Sequence, residues 1–106
     1  MNENYAITGA KIAAKILNIP DEVIEVVFKE KKYFKDSEII GAFIKNGFWI
    51  VFNKDLINSS LPEEIFVTAF HETRHAYQAL ICEFGNQLPF FIDEPNDRIK
   101  RMWNKW

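Results

Sequence analysis

His71 and His75 are the only two histidines of the chain, and they stand four residues apart in the run His71-Glu72-Thr73-Arg74-His75. On a helix this spacing puts both imidazoles on one face, one turn apart, with the Glu72 carboxylate beside them. Two imidazoles so placed can each give a nitrogen to one tetrahedral Zn²⁺, while the neighbouring carboxylate takes a proton from an activated water without ligating the metal. The chemistry within reach is metal-assisted hydrolysis, with His71 and His75 as ligands and Glu72 as general base.

A zinc site of this kind needs a third protein ligand. Glu94 follows His75 with eighteen residues between them, enough chain to turn back after a helix stop at Gly85. Asp93 and Asp97 are close enough to compete for the position. Cys82 lies two helical turns beyond His75, about 10 Å away and too far to share one ion, so it reads as a buried structural thiol. Arg74 reads as the partner of a carboxylate, Asp97 or Glu94, and Tyr77 as a core residue with a hydrogen-bonded hydroxyl.

The elements that must position these residues can be read from periodicity and punctuation. A long helix is expected from Ser60, which with Glu63 forms a capping box, and Pro62 suits the first turn. Its core stripe is Phe66, Ala69, Phe70, Thr73, Ala76, Tyr77 and Leu80. Ahead of it, Glu38 to Lys45 and Phe48 to Asn53 are β-prone runs joined by Asn46-Gly47, a hairpin signal because both turn residues accept positive φ. Both arms are apolar at nearly every position, so at least one should be covered on both faces. Val23 to Lys29 reads as a strand, with a helix starting at Asp21-Glu22 as its rival. From Asn4 to Leu17 the apolar positions recur at helical spacing, up to a stop at Asn18-Ile19-Pro20. A last helix is expected from Glu94-Pro95, with Ile99, Met102, Trp103 and Trp106 as its apolar stripe.

His71-Glu72-x-x-His75 followed by Glu94 resembles the gluzincin branch of zinc metallopeptidases. The order of helix, strands and HExxH helix also resembles the small zincin-like domains of bacteria and their phages, loosely the ImmA/IrrE type. The resemblance is specific over Ser60 to Asp97 and architectural before that. It implies a Zn²⁺ held by His71, His75 and Glu94, with Glu72 as general base. It also implies a protein or peptide substrate that pairs in extended form with an edge strand, here Phe48 to Asn53. Larger gluzincins carry an aspartate four residues after the third ligand, whereas this chain has Arg98 at that position and Pro95 directly after Glu94.

The fold class expected is α+β and zincin-like. It comprises an N-terminal helix, a small, mostly antiparallel sheet of about three strands, the long HExxH helix and a C-terminal helix. A length of 106 residues suits a single domain, 1–106, and 48% hydrophobic content with ten phenylalanines supplies a core. A net charge of −2, with lysines and glutamates interspersed, leaves no electrostatic footprint for nucleic acid. One cysteine excludes an internal disulfide, and neither a signal peptide nor a run long enough to span a membrane is evident, so a cytoplasmic protein is expected. Trp103 and Trp106 are either core caps or a homodimer contact. The functions that follow are a zinc-dependent peptidase and, as the alternative, a zinc-binding regulatory module without turnover.

Overall fold

The computed structural model describes residues 2–81. It is an α+β unit in which a three-stranded mixed sheet packs against two helices. The chain runs through helix α1 (Asn2–Ile16), strands β1 (Glu25–Lys29), β2 (Gly41–Ile44) and β3 (Trp49–Asn53), a short helix α2 (Lys54–Ile57) and the long helix α3 (Pro62–Ala79).

Helix α1 buries a face of small residues, Ala6, Gly9, Ala10, Ala13 and Ala14, and this lets it lie close against α3. At Gly9 a Cβ would stand 2.8 Å from Phe66 Cδ1 and 3.0 Å from Ala69 Cβ, so the crossing requires glycine there. The helix ends in a Schellman motif: Asn18 adopts φ 61, the Ile19 N–H donates to Ala14 O (2.8 Å) and the Asn18 N–H to Lys15 O (3.2 Å). The stop is therefore made by Asn18 in the left-handed region, ahead of Pro20. Both readings of the next segment are partly realised, since Asp21–Val23 forms one 3₁₀ turn and β1 follows it.

The strand order is β1-β3-β2, with β1 parallel to β3 (Glu25 opposite Trp49, Lys29 opposite Asn53) and β2 antiparallel to β3 (Gly41 opposite Phe52, Ile44 opposite Trp49). Two expectations are corrected here. The sheet is mixed rather than mostly antiparallel, and Phe48 to Asn53 supplies the central strand rather than an edge. The cause is composition. Ile50, Val51 and Phe52 point to opposite faces and all are fully buried, which requires cover on both faces, as a central strand receives. The edges are β1 and β2.

The hairpin forms with a longer turn than the Asn46-Gly47 signal implies. Residues 45–48 make a four-residue turn closed by the Phe48 N–H on Lys45 O (3.1 Å), and positive φ falls on Gly47 (100°) and Phe48 (51°), not on Asn46. Phe48 is held in this unfavourable region by its neighbours: its ring stacks on Phe43 at 5.4 Å, and its carbonyl accepts the Glu25 N–H at 3.1 Å.

Asn53 is the buried polar hinge from sheet to helix. Its amide donates to Ser37 O (3.1 Å) and Ile39 O (3.2 Å), while its Oδ1 accepts the Leu56 N–H (3.3 Å) and caps α2. The capping box expected at Ser60 does not form. The Ser60 hydroxyl instead donates to Leu56 O at 2.8 Å, finishing α2, and the N-cap of α3 is Leu61, without a side-chain cap, with Pro62 following. The expected stripe of α3 is buried at Ala69, Thr73, Ala76, Tyr77 and Leu80, and Ile65 joins it.

Ile50, Phe52, Ile57, Ile65 and Ala69 pack with Ala6 and Ala10 in the main core, and Leu17, Ile19, Tyr77 and Leu80 form a second cluster at the other end of the helix pair. The helix stop at Gly85, the thiol of Cys82 and the C-terminal helix with Trp103 and Trp106 lie outside the described residues. Among the described residues no helix is long and apolar enough to cross a membrane.

Candidate metal centre

Helix α3 carries His71, Glu72 and His75 where its buried stripe gives way to solvent: Thr73 and Ala76 face the core, and the two imidazoles and the carboxylate are half-buried beside β2. The expected clustering of the two histidines is present. Their Nε2 atoms stand 3.0 Å apart, with the rings nearly perpendicular at 88°. Two Zn–N bonds of about 2.05 Å at the tetrahedral angle place their nitrogens about 3.3 Å apart, so a small opening of the pair accommodates one ion.

As an N–H···N hydrogen bond the same contact requires one ring to offer a proton and the other a lone pair. Gln78 decides which does so. Its Oε1 lies 3.2 Å from His75 Nδ1 and, as an acceptor, calls for the proton there, leaving the His75 Nε2 lone pair to receive the His71 N–H. A ligating histidine is oriented in the same way, by an acceptor on its other nitrogen. Sequence reading missed Gln78. Its signal was the i, i+3 spacing from His75, visible only once a partner for the imidazole was sought.

Glu72 is fixed by the sheet. Its Oε1 accepts the backbone N–H of Phe43 at 2.9 Å, and its Oε2 lies 3.9 Å from His71 Nε2. Alternation along an antiparallel pair turns the backbone groups of Gly41 and Phe43 away from β3, because the flanking Ile40 carbonyl accepts the Asn53 N–H inside the sheet. The edge of β2 thus presents its amide to the α3 carboxylate. Burial raises the Glu72 pKa above the ordinary 4.5, and the two imidazoles and the Phe43 N–H act in the opposite direction. Glycine at 41 lets strand and helix approach: a Cβ there would lie 3.0 Å from Thr68 Cγ2.

Beside the pair, Glu38, Ile40, Gly41, Val67 and Thr68 line an open depression of about 340 Å³ that reaches His71 and Glu72. A larger depression, about 660 Å³, lies between the end of α1 and Asn18, Pro20 and Asp21. It contains neither histidine nor Glu72, so chemistry rather than size selects the smaller one.

Among the described residues no cluster of three or more His, Cys, Asp or Glu side chains stands in position to hold one ion. Glu94, Asp93 and Asp97, the candidates for the third ligand and two of them also the expected partners of Arg74, lie outside the described residues. Tyr77 is buried in the core, as expected. No family model, curated protein or solved structure matches the chain.

Proposed function

We propose that the protein is a zinc-dependent peptidase in the gluzincin pattern, with His71, His75 and Glu94 holding the ion and Glu72 serving as general base. The observation that carries this reading is the convergence of three groups: two imidazole Nε2 atoms 3.0 Å apart, with a carboxylate oxygen 3.9 Å from one of them. Helix spacing brings the three groups to one face, and the depression beside them gives a substrate access to that face.

Zn²⁺, when bound, lowers the pKa of a water toward about 7 and polarises the scissile carbonyl. The protein residues do the positioning and the proton transfer. Gln78 orients His75 so that its Nε2 faces His71 Nε2, where an ion would be held between them. The Phe43 N–H holds one oxygen of Glu72, leaving Oε2 to take a proton from the attacking water and pass it to the departing amine. The substrate is an extended peptide lying along β2, the edge beside the site in place of Phe48 to Asn53, with the Phe43 N–H kept by Glu72. The single cysteine fits a cytoplasmic setting.

Glu72→Gln tests the reading, because the amide oxygen of glutamine can still accept the Phe43 N–H while the base is lost. The expected result is unchanged zinc content, with cleavage of a quenched fluorescent peptide library reduced by about 10²-fold or more. Equal cleavage by both proteins at equal zinc content contradicts the proposal. Zinc binding by wild type with no cleavage of any library peptide favours a zinc-binding regulatory module instead.

A further inference from the structure

The depression beside His71 and Glu72 continues along α3 into a second one of about 350 Å³, lined by Glu63 and Glu64 and sharing Ile40, Val67 and Thr68 with the first. Among the described residues they form a trough between the edge of β2 and the exposed side of α3. Its floor is apolar, and Val67 is 56% exposed there. Besides the half-buried Glu72, the carboxylates that line it are Glu38, Glu63 and Glu64, all exposed, and no lysine or arginine lines either part. None of the three makes an ion pair among the described residues.

We propose that the trough takes an extended peptide carrying a lysine or arginine, whose cationic head sits among Glu63, Glu64 and Glu38 while its aliphatic stem covers Val67. This specificity rests on the peptidase reading of the adjoining site. Charge complementarity selects the basic side chain: the exposed carboxylates along the trough make no ion pair among the described residues, so a cation entering it displaces no such partner. Helix geometry sets the spacing. Glu63 and Glu64 precede His71 by eight and seven residues, which is about 11 to 12 Å along the axis at 1.5 Å per residue. An extended peptide covers that distance in about three to four residues. The basic residue therefore lies three or four positions from the scissile bond.

The ordinary role of Glu63 and Glu64 is to complement the N-terminal dipole of α3, so the test must separate the two effects. Binding is measured by fluorescence anisotropy on the zinc-loaded Glu72→Gln protein, with a labelled octapeptide of alanine, serine and valine bearing one arginine. The same peptide with glutamate in that place is the comparison. The arginine peptide is expected to bind about five- to tenfold more tightly, from exposed charge pairs acting together. The preference should shrink on Glu63→Gln/Glu64→Gln, and also on Glu38→Gln, which is not on the helix. A role confined to the helix dipole would lower the melting temperature of the double variant and leave the preference intact. That result overturns the proposal, as do equal binding of the two peptides and absence of binding by both. Because the readout is binding, a selective trough without cleavage would count against the peptidase and not against the trough. Cleavage without charge preference would do the reverse.

Discussion

At the scale of single residues, the site depends on two hydrogen bonds that reach the catalytic candidates from outside the motif. Gln78 accepts from His75 Nδ1 and the Phe43 N–H is accepted by Glu72, so each side chain is aimed before any ion or substrate arrives. Replacing Gln78 by methionine keeps the length and helix preference but removes the acceptor. Zinc affinity measured by competition with a chelator should fall about 10- to 100-fold, whereas Gln78→Glu, which keeps an acceptor for the imidazole, should retain it. Glu72 makes a second prediction. Its pKa is raised by burial, so the folded, metal-free protein binds that proton more tightly than the unfolded chain does. The resulting stabilisation is fully present below the ordinary carboxyl pKa of 4.5 and is lost as pH rises through the raised value. Thermal melts of metal-free wild type against Glu72→Gln, which does not titrate, should diverge in that window. Wild type should become the less stable of the two as the carboxylate ionises. A pH-independent difference between the two proteins would contradict this.

At the scale of elements, packing is set by small residues where helix meets helix and helix meets strand. Gly9→Ala gains helix propensity of about 0.5 to 1 kcal/mol but forces a methyl against Phe66 and Ala69, an overpacking that costs about 1 to 3 kcal/mol. A net loss is expected in urea denaturation, and a larger one for Gly9→Val. The start of α3 offers the opposite case. Leu61 is an exposed N-cap with no side-chain bond, so Leu61→Ser should stabilise by about 0.5 to 1 kcal/mol in the same experiment. The elements around these positions show what a sequence makes legible. Apolar periodicity found α1 and α3, β-branched alternation found β1, and two β-prone apolar runs around Asn46-Gly47 found β2 and β3, because each depends on a local pattern. The strand order was not legible, since parallel pairing of β1 with β3 joins segments about twenty residues apart and leaves no turn signal between them. The capping box at Ser60 misled for a related reason: a hydroxyl able to cap α3 was already engaged by the Leu56 carbonyl of α2, a helix too short to register as a period.

At the scale of the whole molecule, among the described residues, two helices and a mixed sheet hold the histidine pair at the margin of the core, beside the edge of β2. The approach of His71, Glu72 and His75 was legible because helix geometry alone converges their side chains. The roles of Gln78 and of the β2 amide were not, because tertiary packing rather than spacing brings β2 to Glu72. His71→Ala and His75→Ala should each abolish tight zinc binding while leaving the core clusters, and so the fold, intact. The sharpest test of the histidine pair as a metal centre is X-ray absorption at the zinc edge, on the protein reconstituted with one equivalent of Zn²⁺. Two imidazole nitrogens are expected at about 2.0 to 2.1 Å, the remainder of the shell being oxygen, with the imidazole signal halved in either histidine variant. A zinc shell lacking two imidazoles, or one unchanged when His71 or His75 is replaced, would contradict the assignment.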